Sequence, residues 1–460
     1  ENLSWYIRLK NLARYNLHDD PTAGHLGQNV TIAKIKERFY WPTIVKGAQK
    51  YIQICEEKEM KSKITVLNPR TTEYEFLGPI GASLMIVVLP GILYLLHLGC
   101  TPEGCPSREL INNLLTPSYF ISLFTLDKFF RLFDLHAFLI YVVYLLYLVV
   151  SWYLLPGRWV QGTTLRDGNK LLYKANGFKS FVITIGGMLA IIWFKGSDSK
   201  RACVIGAWWK FWKRYLRWRE LNPRIGWFDI KYFIELRAGI FAWTILNIAM
   251  AAKQYNDLGD LTMAMFLVVL FQGWYTIDSA YNEPAVLTTM DITTDGFGWM
   301  LSFGNISWVG FLYGLQARYL AIHPVHLSWL QTAFIVCTQA VGYAIFRGAN
   351  NEKNLFRNDP EDARVKHLKY ITTEAGSRLI ISGWWGRARH INYLGDWIMS
   401  WAWCLPCGFD NIFPYFYVLY FAVLLIHREL RDEEKCRRKY GKDWTRYCEI
   451  VQWRIIPGIY

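Results

Sequence analysis

The sequence predicts an all-α, polytopic membrane protein of about nine to ten transmembrane helices, with a small helical segment at its N-terminus. Three observations predict it. Of the 460 residues, 53% are hydrophobic and only 19% charged, whereas soluble domains carry about 25% charge. Several apolar runs reach the roughly 20 residues that a helix needs to cross a bilayer. Lys and Arg gather beside these runs, as they do in cytosolic loops of membrane proteins. The formal net charge of +14 is therefore assigned to membrane topology, and no nucleic acid partner is expected for the main domain.

Residues 1–72 are polar and read as a separate module whose partner is left open; residues 73–460 read as the membrane domain. Apolar spans are expected at about 77–98, 136–155, 178–194, 238–252, 261–281, 299–320, 327–346, 396–406 and 413–427, two of them short enough to be half-spans. The segment 118–130 reads as interfacial or re-entrant, and the basic, aromatic residues 195–218 as an amphipathic surface helix. The polar stretch 347–375 reads as a loop, placed on the cytosolic side together with 428–446. Of nine cysteines, only Cys100 and Cys105 fall in a loop suited to a disulfide. Cys404 and Cys407 flank Pro406 in an aromatic stretch and are assigned to packing or a kink rather than redox chemistry. No signal peptide is evident, and since the chain begins at Glu1 rather than Met, its true start is expected upstream.

One stretch concentrates chemistry. In Leu425–Gly441, Arg428, Asp432, Cys436 and Tyr440 fall at steps of four, which on a helix aligns a cation, a carboxylate, a thiol and a phenol along one face. Two readings are open for it: a basic helix at the lipid surface, or a wall that binds something polar at the membrane edge. In 382–397, two indoles, Arg387, Arg389, His390, Asn392 and Tyr393 lie within sixteen residues. They read either as stacking faces and phosphate-binding forks or as an interfacial aromatic belt. Asp229, Lys231, Glu235 and Arg237, and then Asp278, Glu283, Asp291 and Asp295 around Tyr275, are costly groups in lipid, at least about 2.5 kcal/mol for a carboxylate at the bilayer centre. They either neutralise one another inside the bundle or line a cavity.

Arg219-Glu-Leu-Asn-Pro-Arg224, Thr293-Thr-Asp-Gly-Phe-Gly298, Gly383 to Trp397, and His427-Arg428 with Arg431-Asp432, Cys436 and Lys439-Tyr440-Gly441 occur in the order in which the sterol reductase family carries them. The chain from about 73 to 460 resembles that family, which includes delta-14 and delta-7 sterol reductases and the lamin B receptor, and the 293–298 run looks like the delta-14 form. The resemblance implies a ten-helix enzyme of the endoplasmic reticulum membrane or inner nuclear membrane that uses NADPH to reduce the C14–C15 double bond of a sterol. Carried over by motif, the NADPH contacts are Lys353, Arg357, Trp385, His390, Asn392, Tyr393, Arg428, Asp432, Cys436 and Tyr440. No Gly-x-Gly-x-x-Gly turn follows a strand, so a Rossmann domain is not expected to bind the cofactor.

An isolated alkene must be protonated before it accepts hydride, and protonation at C15 leaves a tertiary cation at C14. Tyr275 and Tyr447 are the candidate proton donors by motif position, with Asp278, Glu283 or Asp291 as relays. The runner-up readings are a delta-7 reductase, or a nuclear-envelope scaffold with a reductase-like domain that does not catalyse.

Two departures stand out. The family usually has a further transmembrane helix before Arg219, which this chain lacks. His18, His25 and Cys55, with His25-Leu-Gly27 and Arg38-Phe-Tyr-Trp-Pro42, resemble the zinc-binding module of retroviral and retrotransposon integrases. Lys58 stands where the second cysteine belongs, so the module is expected to be degenerate and no metal site is assigned, the alternative being a residual metal or interaction module with Glu56 or Glu59 substituting.

Overall fold

The computed structural model describes residues 78–195 and 222–460, except for 103–104, 106, 114–115, 124, 126–134, 164–169 and 375. The chain divides into the units Glu1–Glu73 and Tyr74–Tyr460, and the described residues all belong to the second. His18, His25, Cys55 and Lys58 of the integrase-like motif lie outside the described residues, as do residues 196–218 of the expected surface helix.

Nine longer helices carry the fold among the described residues: α1 (Gly78–Gly99), α2 (Leu135–Leu154), α3 (Gly177–Lys195), α4 (Ile240–Leu258), α5 (Met263–Tyr281), α6 (Trp329–Asn358), α7 (Ile391–Cys404), α8 (Phe416–Tyr440) and α9 (Lys442–Ile450). Strand is confined to three two-stranded antiparallel hairpins, Arg158–Gln161 with Leu172–Ala175, Arg224–Ile225 with Phe228–Asp229, and Tyr370–Thr372 with Arg378–Ile380. The chain is thus all-α.

Among the described residues, six stretches are long and apolar enough to cross a bilayer: Ile80–Gly99, Leu135–Leu154, Ile230–Leu258, Met263–Tyr281, Trp329–Asn358 and Phe413–Tyr440. The remaining expected spans are helical but short or broken. The apolar part of α3 is Gly177–Ala190. The 299–320 run splits into Trp299–Phe303, a π-helical turn Gly304–Trp308, Val309–Leu312 and Leu315–Ile322. The 396–406 run is the 14-residue α7, closed by a 3-10 turn at Leu405–Cys407.

The helix ends follow from local chemistry. Thr262 caps α5 by accepting the Met265 N–H, and Ser328 with Gln331 forms a reciprocal capping box on α6. A second π-helical turn, Ile234–Gly239, leads into α4 and packs on the first. A Cβ on Gly239 would stand 2.2 Å from the Asn305 carbonyl oxygen, so only glycine lets the two irregular turns meet.

One expectation fails at α6. Residues 347–358 are not loop but helix. Their polarity marks a helix leaving the membrane rather than a break in it: Glu, Lys, Leu and Arg sustain helix, and Ala349 and Phe356, two turns apart, bury themselves against Val365, Trp385 and Ile391. The 118–130 segment begins with a short helix, Pro117–Leu123.

The largest apolar core joins α4, α5, α7 and α8 around Trp243, Phe271, Trp403 and Tyr417. A polar thread runs through it. Trp243 and Asn247 both donate to Gln272 Oε1, Gln272 donates to Gln316 at 3.1 Å, and Gln316 donates to the Pro414 carbonyl at 3.1 Å. Buried amides in lipid must be paired, and this chain of donors and acceptors fixes the register of four segments. Cys404 and Cys407 are buried free thiols in the same core, whereas Cys100 and Cys105 form a disulfide.

Candidate active site

α8 runs unbroken from Phe416 to Tyr440, so Arg428, Asp432, Cys436 and Tyr440 lie along one helix as their spacing requires. Gly441, at φ 54°, ends it. Around Asp432 the structure gathers groups from two helices and the turn at His390. The His390 Nε2 atom lies 3.7 Å from Asp432 Oδ2, and the Cys436 thiol is 3.8 Å from the same oxygen. Lys353 on α6 feels both Asp432 and Cys436 electrostatically, and its ammonium sits 3.8 Å from the centre of the Trp385 ring. Arg357 follows one turn later and is exposed.

The segment leading into α7 is held from behind. Trp385 is buried and donates its indole N–H to the Ala349 carbonyl at 2.7 Å, and Glu352 accepts the Trp384 backbone N–H at 2.9 Å. With Lys353 over it, the Trp385 ring acts as a floor for a cation. Arg387 is exposed and lies over Trp384, but Arg389 is buried, donating to the carbonyls of Val451 and Gln452 at 2.8 and 3.0 Å. The backbone N–H groups of Arg389 and His390 bond to Trp453 and Arg454 carbonyls, so the segment after α9 splints the His390 turn. Burial pushes the His390 imidazole down to about 4 in spite of the neighbouring Asp432 carboxylate. At neutral pH it is an uncharged ring, stacked on Tyr393 at 4.9 Å. Asn392 gives its amide to Asn350 at 3.4 Å and leaves its carbonyl oxygen buried without a partner.

Deeper along α8, Arg428 pairs with Asp291 and Arg431 with Asp295. The 290–298 run is gripped from its other side by Lys231, which donates to the carbonyls of Ile292 and Asp295. The motif is therefore a clasp between α8 and the turn that begins α4. Tyr275 on α5 is half-buried among Trp243, Phe346 and Trp403, with ring centres 6.0, 6.2 and 5.2 Å away. Tyr275 lies beside Asp396 where α5 packs on α7, and the two side chains influence one another electrostatically.

The other candidate carboxylates have arginine partners. Asp278 pairs with Arg347 and accepts from the Tyr343 hydroxyl at 3.2 Å. Glu283 pairs with Arg237 at 2.8 Å and accepts the Gly177 N–H at 2.6 Å; both side chains are almost wholly buried. Tyr447 packs on α9 with Trp444, Ile371 and Val451, in the cluster that includes Cys436 and Tyr440, and burial raises its phenol well above the usual range. Tyr275 and Tyr447 thus occupy different apolar clusters.

Asp396 escaped the sequence reading because it sits inside the Gly-Trp-Trp segment, where aromatic and basic groups drew the assignment. An ionisable residue opening an apolar run was the available signal. It is 9% exposed, its Oδ1 atom has no hydrogen-bond partner, and no ion pair to it is found among the described residues.

A sequence model of the ergosterol biosynthesis ERG4/ERG24 family matches residues 70–196 and 214–460. The match breaks over 197–213, which lie outside the described residues. A second model, the integrase zinc binding domain, matches residues 8–59. The Delta(14)-sterol reductase of Ascobolus immersus is 46% identical over 430 residues, spanning 84% of this chain and 99% of that protein. The Delta(14)-sterol reductase erg24 of Schizosaccharomyces pombe is 46% identical over 426 residues, spanning 84% and 97%. The Delta(14)-sterol reductase of Neurospora crassa is 39% identical over 480 residues, spanning 85% and 97%.

Proposed function

Since the chain belongs to the ergosterol biosynthesis ERG4/ERG24 family, we propose that its membrane unit is a sterol reductase that saturates the C14–C15 double bond of a sterol intermediate, with NADPH as reductant. We place it in the endoplasmic reticulum membrane or the inner nuclear membrane that is continuous with it. The observation that carries the reading is the convergence of Lys353, His390, Asp432 and Cys436 at the polar end of α8, a helix that also helps to form the aromatic core holding Tyr275.

The residues at that end fit a phosphorylated dinucleotide. Lys353 and Arg357, one helical turn apart, suit its phosphate groups. The unpartnered Asn392 carbonyl oxygen suits a donor such as a carboxamide or a ribose hydroxyl. His390, neutral and stacked on Tyr393, offers ring nitrogens without adding charge. Trp385 fixes Lys353 from below, and Asp432, Cys436 and Tyr440 complete the wall. When bound, the nicotinamide supplies the hydride.

The chain itself must supply the proton and exclude water. Of the two candidate donors, Tyr275 is favoured by its position in the aromatic core facing a second acid, while Tyr447 packs beside the cofactor wall. Asp278, Glu283 and Asp291, each engaged by an arginine, act in holding the helices together. Expression in yeast lacking its own C14 reductase, followed by sterol profiling, tests this reading. The account predicts loss of the C14-unsaturated sterol; unchanged accumulation alongside correctly inserted protein contradicts it.

A further inference from the structure

Three features of Asp396 distinguish it from Asp278, Glu283 and Asp291. It is buried to 9% exposure with Oδ1 unpartnered. No arginine or lysine pairs with it among the described residues, while Asp278, Glu283 and Asp291 pair with Arg347, Arg237 and Arg428. It lies on the face of α7 that packs against α5, beside Tyr275. A carboxyl so buried, with no cation paired to it directly, is cheaper to keep as an acid than as an anion.

The helix contact that fixes Asp396 is unusually close. A Cβ on the preceding residue, Gly395, would lie 2.5 Å from the Phe346 nitrogen, and one on Gly342 would lie 2.8 Å from the Met399 nitrogen. The two glycines bring α6 and α7 backbone to backbone, a small-residue contact of the kind that membrane helices use. Asp396 is thereby held toward α5, and cannot be withdrawn by a rotation of α7 without breaking that contact. The ionisable groups around it are Tyr275 from α5, Arg428 and Tyr417 from α8, Tyr313 from the turn after Val309–Leu312, and Tyr393 on its own helix.

We propose that Asp396 is the proton reservoir for Tyr275, so that the acid which starts the sterol reduction is a two-residue relay rather than a lone phenol. The Tyr275 O–H bond breaks as the alkene π pair forms a new C–H bond. The phenolic oxygen regains a proton from the Asp396 carboxyl as that O–H bond breaks, leaving an Asp396 carboxylate. Water returns a proton to Asp396 once product has left. The relay removes the need to leave a bare phenolate beside a carbocation, which is the difficulty with a group of reference pKa about 10 acting alone. Such a relay rests on the sterol reductase activity proposed for this chain.

The test uses the full chain in lipid bilayers with saturating NADPH and a C14-unsaturated sterol. Asp396→Asn keeps shape and hydrogen bonding but removes the transferable proton. It is expected to lower kcat about 100-fold or more, with sterol KM and melting temperature little changed. Asp396→Glu is expected to recover part of kcat. Tyr275→Phe combined with Asp396→Asn is expected to cost no more than the worse single variant, because the two act as one unit. An Asn variant with wild-type kcat overturns the relay, as do losses in the double variant that multiply, or an Asn variant whose kcat falls only in step with its melting temperature. A wild-type chain without sterol reduction overturns the underlying reading instead.

Discussion

Arg237 and Glu283 meet at 2.8 Å with almost no solvent exposure on either side chain, joining the π-helical turn before α4 to the segment after α5. Arg237 also donates to Asn176 at 2.7 Å, and Glu283 accepts the Gly177 N–H. The pair therefore locks the start of α3 onto both. Removing one partner leaves a buried charge with no countercharge, and such losses cost about 3–5 kcal/mol. Glu283→Ala is expected to lower the thermal unfolding midpoint severely, measured by fluorescence-detected melting in detergent. A stable but inactive Glu283→Ala variant would instead mark Glu283 as a chemical participant.

The contact between α6 and α7 makes a second prediction. Gly395→Ala drives a methyl into the Phe346 backbone, and overpacking of this kind costs about 1–3 kcal/mol. Because Asp396 follows directly, turnover is expected to fall further than stability alone explains. Comparison of kcat with melting temperature for Gly395→Ala and for Leu139→Ala on α2, a lipid-facing control, separates the two effects.

These two sites show what the sequence disclosed and what it withheld. The α8 face was legible because four chemistry-bearing residues recur at one helical period, and the structure keeps them on a single helix. The nine apolar runs were legible as helices, since hydrophobic length is a local property. The extension of α6 to Asn358 was misread because polarity alone does not separate a loop from a helix that has left the bilayer. The partner of Arg237 lies 46 residues away, and Asp396 meets Tyr275 across two helices; no local period carries such pairings.

His390 gives a pH prediction with a definite sign. Burial holds its imidazole at about 4 in the folded chain, against a reference near 6.5 unfolded. Between those values the unfolded chain binds the extra proton, so this contribution to stability is full above about pH 6.5 and is lost as the pH falls toward 4. Melting temperatures measured from pH 7.5 to 4.5 are expected to fall less steeply in His390→Asn than in the wild type. Parallel curves would show that His390 is not held neutral.

At the proposed cofactor wall, Lys353 sits over Trp385 and one turn before Arg357. A hydrogen bond to a charged group is worth about 1.5–3 kcal/mol, so Lys353→Ala is expected to raise the KM for NADPH about tenfold or more while sterol KM stays near its original value. Because the charges are partly exposed, the wild-type KM should rise with salt, and the variant's should respond less. Equal salt responses would remove Lys353 from the wall.

On the function proposed here, the polar end of α8 binds the reductant whose hydride reaches a sterol beside Tyr275. The most direct measurement is a single-turnover reaction of the full chain in lipid bilayers with NADPH carrying deuterium at the transferred position and a C14-unsaturated sterol. The account predicts one deuterium in the product at C14, with Arg428→Ala abolishing its transfer. Product without the label, or no conversion by well-folded protein, would contradict it.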